Sequence, residues 1–288
     1  MFGPSEWDFD MTIDHHRSGS FHVFMESLEN IFKERFDIPD DWTVLFVSGG
    51  GTLANEIILA SCDCGVVGSL QAPFVERLRR LNKYHVRSHS NTQAVRCCVA
   101  YDTAQSKVLN VPPSNGILTF VDCVSSFPYY APPVGIDAWS TVSSKQLGSS
   151  PGLGILVLSP KFVASVVRQD LSHSMLSLSD YLLYHDKHEL PHTAPTELLN
   201  GLWETLIQFD KVHLRSDIIH RRNLLDAVVP GEFRIGVGPV FTFKQDVLPD
   251  CFNAKWGLYQ GSYGPQAFLH ANGDWQGFIE ELRRIKWN

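Results

Sequence analysis

The sequence predicts an α/β protein, with a large domain on a mainly parallel sheet over residues 1–215 and a smaller C-terminal unit over 216–288. Short β-rich runs alternate with helix-forming stretches along the first half of the chain, which is the pattern of strand-helix-strand units. The first pair is joined by Ser48-Gly-Gly-Gly-Thr52, and 288 residues with 44% apolar content suffice for one large core plus an appendage.

Taken in order, Phe21, Phe24, Met25, Leu28, Ile31 and Phe32 recur every three or four positions and predict an amphipathic helix over 20–36. The turn at 37–41, with Pro39 inside it, ends that helix. Residues 42–47 form a β-rich run, the glycine loop follows, and 53–60 is helix-forming. A second unit follows, with a strand at 65–68, a helix at 72–81 and strands near 94–101 and 117–121. Beyond Asp122 a loop rich in Ser, Pro and Tyr leads to Val142-Ser-Ser-Lys145, and residues 148–154 lead into an apolar strand at 155–158. Helices are predicted over 161–168 and 196–209, the second after an extended stretch at 190–195. The C-terminal unit reads as a helix into Val229, strands near 233–243 and 267–271, and a closing helix over 275–285.

Composition narrows the function. The net charge is −7, the pI is near 5.9 and the 24 Lys and Arg are scattered, so nucleic-acid phosphates and anionic membranes are not expected partners and a small molecule is. The longest apolar runs, 57–60 and 154–158, fall far short of the ~20 residues that span a bilayer. The opening MFGPSEWDFD is acidic and lacks an apolar run, so no secretory signal is read and a cytoplasmic location is expected. The cysteines Cys62, Cys64, Cys97, Cys98, Cys123 and Cys251 sit mostly in apolar stretches, as buried thiols do, and none has the pair spacing of a zinc site. The histidines are dispersed, with no H-E-x-x-H pair, and no metal site is predicted.

Three places carry possible chemistry. Ser48 to Thr52 reads either as a plain tight turn or as an anion cradle, with backbone N–H groups and a hydroxyl at a helix N-terminus. Its spacing fits neither a P-loop nor G-x-G-x-x-G, and no G-x-S-x-G elbow supports a serine hydrolase. Asp122 ends an apolar strand, where α/β sheets bind ligands; it is either a turn cap or the partner of a protonated ring nitrogen. Lys145 is either a solvated loop lysine or an enclosed one, whose lost hydration would lower its pKa as an imine-forming amine requires.

The order of these segments resembles class V of the fold-type I enzymes that use pyridoxal 5′-phosphate (PLP), particularly 2-aminoethylphosphonate and alanine-glyoxylate aminotransferases. The matching pieces run from Gly3-Pro4, His16-Arg17-Ser18, SGGGTLANE at 48–56 and FVER at 74–77 through Asp102-Thr103 and VDCVSS at 121–126. They continue with Ser143-Ser-Lys145, SPGL at 150–153 and HTAPT at 192–196. The resemblance implies a three-layer αβα large domain and a small α+β C-terminal domain.

It further implies that Gly50, Gly51 and Thr52 hold the cofactor phosphate, that Asp122 pairs with the pyridine nitrogen, and that Lys145 forms the internal aldimine and shuttles the proton. Thr103 is implied near the ring, and Ser144 stands where the family often has Gln. Thr193 is implied at the phosphate of a partner subunit, giving a homodimer with a shared site. His16 and Arg17 are substrate-side candidates. The family's carboxylate-binding arginine has two counterparts: Arg234 matches in letters, and His270 lies nearer the expected place. Phe74 is the candidate for stacking on the ring. The C-terminal domain is shorter than the family's. The expected activity is an aminotransferase on a small amine or amino acid; the alternative is a decarboxylase or lyase on the same scaffold.

Overall fold

The computed structural model describes residues 17–61, 95–103, 105–165, 174–271 and 273–287. The expectations at 3–4, 65–68 and 72–81, and those for His16, Cys62, Cys64 and Phe74, lie outside these residues.

Helix α1 (Gly19–Arg35) starts where the Ser18 hydroxyl accepts from the Phe21 N–H, and it buries Phe21, Phe24, Leu28 and Phe32. Strand β1 (Thr43–Ser48) leads through Gly49 into α2 (Gly50–Ser61). Strands β2 (Val95–Val99), β5 (Leu118–Asp122), β6 (Ala138–Val142) and β7 (Leu153–Leu158) join β1 in one sheet of order β1-β7-β6-β5-β2. Between β2 and β5 lies a hairpin, β3 (Tyr101–Asp102) with β4 (Lys107–Val108).

The β2, β5 and β6 pairings are parallel, whereas β7 runs antiparallel to both neighbours, from Thr43↔Leu158 to Ser48↔Leu153 on one side. The reversal follows from the short connection at 143–152, since a parallel return needs a crossover of about a dozen residues or more. Side chains alternate between two apolar layers. Val44, Phe46, Ile155 and Val157 face α1 and α5 (Thr196–Gln208), while Leu45, Val47, Leu156 and Leu158 face α2, α3 (Pro160–Ser165) and α4 (Leu178–His185). This is the three-layer arrangement.

Strand β6 ends just before Lys145, where a strand end was expected without bounds. Ser140 and Thr141 interrupt its apolar signal, yet all five residues are buried because Ser140 finds a polar partner inside. The short helices α4 and, in the C-terminal unit, α7 (Asp250–Trp256) are too brief to show periodicity. Helix α6 (Lys211–Val228) is capped by Asp210 and spans residue 215. The run at 233–243 divides into β8 (Arg234–Ile235) and β9 (Val240–Phe243), because Gly236 and Gly238 take φ of 82° and 86°. With β10 (Tyr259–Gly261) and β11 (Gly264–Phe268) they form an antiparallel sheet of order β10-β11-β9-β8. Residues of α6, α7 and α8 (Trp275–Leu282), among them Ile218, Leu225, Phe252, Phe278 and Leu282, pack with Phe241 and Phe243 into its core.

The hairpin clasps this unit to the large sheet. Buried Ser106 lies 2.6 Å from the Thr242 hydroxyl, the Val237 N–H donates to the Ser106 carbonyl at 2.7 Å, and the Tyr101 hydroxyl donates to the Val237 carbonyl at 2.7 Å. None of the described helices is long and apolar enough to cross a membrane, and no group of His, Cys, Asp and Glu among the described residues could hold a metal.

One buried carboxylate joins α1, β1 and α4. Glu29 accepts from the Val44 N–H at 3.2 Å, from His185 Nε2 at 2.7 Å, and pairs with Lys33 Nζ at 2.8 Å. Burial works to raise its pKa, but the hydrogen bonds and charges of His185 and Lys33 outweigh it and hold the carboxyl below its ordinary 4.5. Glu29→Gln is expected to cost about 2 kcal/mol in urea unfolding at neutral pH. A folded pKa below the unfolded one gives stability that is complete above pH 4.5 and lost as pH falls through the lowered value, so the gap between the two proteins must close in acid.

Candidate active site

The carboxyl ends of β1, β5 and β6 and the N-terminus of α2 meet at one edge of the sheet, the position at which open α/β sheets bind ligands. The glycine loop is fixed from below: the Gly49 and Gly50 N–H groups both donate to the Gly152 carbonyl, at 2.8 and 3.1 Å. This differs from the expectation that Gly50 offers its N–H to a phosphate, since that donor is spent on holding the loop. The first-turn N–H groups of Gly51 and Thr52 have no partner within the helix and remain for an anion, aided by the helix dipole. Gly51 is required by crowding, because a Cβ there would meet Val124 and Val142 methyls at 2.7 and 2.9 Å.

Asp122 closes β5. Its carboxylate accepts from Asn55 Nδ2 at 2.8 Å and from the Val124 N–H at 2.9 Å. Asn55, buried on α2, accepts in turn from the Ser140 hydroxyl at 2.7 Å, so the amide is locked in one orientation. No lysine, arginine or histidine among the described residues makes an ion pair with Asp122. Neighbouring Cys123 is fully enclosed and burial pushes its thiol far up, which removes it as a nucleophile.

Lys145 opens a single 3₁₀ turn, Lys145–Leu147, ended by Gly148. Its own φ is +54°, a conformation that non-glycine residues adopt at a cost of order 1 kcal/mol. Gln146 keeps the turn in place: its side chain accepts from the Tyr129 N–H at 2.8 Å and donates to the Ser125 carbonyl at 2.7 Å. The Lys145 ammonium donates to Ser125 Oγ at 2.7 Å, and Thr103 Oγ1 donates to the same oxygen at 2.7 Å. Burial lowers the amine pKa from 10.5, partly countered by the charge of Asp122. Ser144, just before the lysine, is extended, and its side chain makes no capping bond.

The C-terminal unit supplies the facing wall. Gln266 Nε2 donates to the Thr103 carbonyl at 2.6 Å, and the Phe268 ring centre lies 6.0 Å from Lys145 Nζ. His270 stands beside Phe268, ring centres 5.8 Å apart. Burial, then the charges of Lys145 and Arg221, pull the imidazole down to about 4. The other expected residues fall elsewhere. Arg234 is bound to Asp226, Thr193 is exposed before α5, and Arg17 lies over the Tyr184 ring at 5.9 Å.

The structure thus brings together Gly51, Thr52, Thr103, Asp122, Lys145 and His270. Ser125, Asn55, Ser140, Gln146, Gln266 and Phe268 join them without having been singled out in the sequence. Ser125 and Asn55 lie inside the VDCVSS and SGGGTLANE segments and Phe268 opens the FLHAN segment that carries His270, which were the available signals; the other three had none.

No protein-family model matches the chain, and no curated protein matches it in sequence. Solved structures do. An aspartate aminotransferase of subgroup IV from Thermus thermophilus superposes with a TM-score of 0.72 at 19% identity, covering 93% of this chain and 91% of that one. An alanine-glyoxylate aminotransferase from Nostoc sp. gives 0.71 at 17% identity over 94% and 88%. A phosphoserine aminotransferase from Cytophaga hutchinsonii gives 0.68 at 16% identity over 94% and 90%. At such identities the likeness is one of architecture: the chain has the fold of class V, fold-type I aminotransferases.

Proposed function

We propose that this protein is a PLP-dependent aminotransferase acting on a small amine or amino acid, with the cofactor carried on Lys145. The observation that carries the reading is the dehydrated Lys145 amine within electrostatic reach of Asp122, a carboxylate that makes no ion pair among the described residues. The other residues fit the same group: the free N–H donors of Gly51 and Thr52 and the Thr52 hydroxyl suit a phosphate, and Asp122 suits a protonated pyridine nitrogen. Bound PLP supplies an aldehyde that takes up amines and a ring that draws electrons from the attached carbon.

In this reading Asn55 and the Val124 N–H keep the Asp122 carboxylate aimed. Ser125, itself fixed by Thr103, holds Lys145 Nζ. The enclosed Nζ is poised to act as general base and then acid at the amine-bearing carbon of the substrate. The exposed Thr193 is assigned to the phosphate of a second copy, which makes the working form a homodimer. A decarboxylase or lyase is the second reading, favoured by the engagement of Arg234 with Asp226 rather than with a substrate carboxylate. Supplying amines with a carbonyl acceptor and following amine exchange against carbon dioxide release separates the two.

Borohydride reduction of the PLP-loaded protein, followed by peptide mapping, is expected to place the label on Lys145. Lys145→Ala should take no label and lose at least about 10²-fold in activity. Competitive acetylation of the cofactor-free protein should show residue 145 reacting with a midpoint below the ordinary lysine value of 10.5, because a lowered pKa makes the neutral amine abundant at lower pH. Asn55→Ala, which leaves Asp122 held by one donor, should weaken PLP binding about tenfold in a spectroscopic titration.

A further inference from the structure

Gln266 of β11 is a point at which the C-terminal unit reaches the surroundings of Lys145. Its buried amide donates through Nε2 to the Thr103 carbonyl at 2.6 Å and to Thr242 Oγ1 at 3.0 Å. Thr242 Oγ1 lies in turn 2.6 Å from Ser106 Oγ, in the same hairpin as Thr103. Gly261 of β10 closes the space behind the amide, since an added Cβ there would stand 2.8 Å from Gln266 Cδ. The side chain is thus held in one orientation by partners on two elements. Without its donation the Thr103 carbonyl keeps the longer bond from the Ser106 N–H, at 3.3 Å.

Thr103 passes this constraint on. Its hydroxyl donates to Ser125 Oγ at 2.7 Å, and Lys145 Nζ donates to the same oxygen at 2.7 Å. The Ser125 carbonyl is held by Gln146 Nε2, so the backbone of Ser125 is fixed from the lysine turn while its hydroxyl is oriented from Thr103. Other bonds between the hairpin and the C-terminal unit do not end at Thr103. The Tyr101 hydroxyl donates to the Val237 carbonyl, and the Val237 N–H donates to the Ser106 carbonyl. The bond from Gln266 is the one that lands on the residue touching Ser125.

We infer that Gln266 is a positioning residue for the Lys145 amine, acting from the C-terminal unit through Thr103 and Ser125. The inference deepens the PLP reading above and rests on it for the cofactor measurements below. If Thr103 shifts, the Ser125 hydroxyl loses its donor and the amine loses a fixed acceptor. Placement matters because a misplacement of about 1 Å between reacting groups can cost about 10²-fold in rate. Phe268, two residues beyond Gln266 on the same strand, lies 6.0 Å from Nζ, so the strand that orients the amine also covers it.

The test compares the wild type with Gln266→Met, which keeps length and burial but cannot donate. The first readout is the rate at which added PLP becomes fixable to residue 145 by borohydride. The second is the affinity for pyridoxamine 5′-phosphate, which has no aldehyde to join a lysine. The rate is expected to fall about tenfold while that affinity is unchanged. In the cofactor-free protein the acetylation midpoint of residue 145 should rise toward 10.5, because burial is what lowers it and an unseated amine regains water. The charged and titratable groups that act on the amine, Asp122 on β5 and His270 after β11, stay in place. Thr103→Val should slow fixation alike, and adding Gln266→Met to it should slow it no further, as for two steps of one path. Gln266→Asn, whose amide falls one carbon short, should lie between wild type and Gln266→Met, and it carries the test if the methionine variant does not fold. Tyr101→Phe, which cuts the bond to Val237, should lower the urea midpoint and leave the fixation rate unchanged. A wild-type rate and acetylation midpoint in Gln266→Met overturn the inference, as do additive effects of the two substitutions or an equal slowing by Tyr101→Phe. If wild-type Lys145 takes no label, the PLP reading falls, while the acetylation midpoint still tests the link from Gln266.

Discussion

The site depends on one buried amide. Asn55 donates to Asp122 at the end of β5 and accepts from Ser140 in β6, so a residue of α2 fixes both the helix and the carboxylate against two strands. The contact exists only because α2 comes close. At Gly154 an added Cβ would stand 2.5 Å from the Gly50 carbonyl, and at Gly51 it would collide with Val124 and Val142. Small residues on both sides of the helix start therefore set the distance between the N-terminus of α2 and Asp122. The alternation of buried aliphatics through β1 and β7 then holds the whole edge rigid.

Much of this was legible in the sequence, for reasons that differ from element to element. The three- and four-residue spacing of Phe21, Phe24, Leu28 and Phe32 identifies α1 because one stripe faces one layer. The strand, glycine and helix order around Ser48 to Ala60 marks the β1–α2 turn because glycine favours the φ of 139° and 70° found at Gly49 and Gly50. Only the end of strand β6 was legible, because Ser140 and Thr141 interrupt its apolar run, and nothing local announces that Asn55, 85 positions away in sequence, will satisfy one of them.

The residues that surround the lysine were the least legible. Ser125 and Gln146 act through contacts with groups some twenty positions distant, at separations of 20 and 17 residues. Gln266 reaches across 163 residues to the Thr103 carbonyl. Polar residues in loops have no periodicity, so their partners emerge only once the sheet has ordered the strand ends. Arg234 shows the converse: its short motif matched the wanted chemistry, but Asp226 one turn from the end of α6 claims its charge.

The bond from Gln266 to the Thr103 carbonyl belongs to a continuous chain. Thr103 holds Ser125, Ser125 holds the Lys145 amine, and two residues beyond Gln266 along the same strand stands Phe268, over that amine. The C-terminal unit and the Lys145 amine are accordingly one mechanical assembly. Tilting the small unit away from the sheet either breaks the bond at Thr103 or drags the hairpin along with it, and in both cases the lysine loses its seat. The packing of the small unit and the aim of the amine are thus geared to the same joint.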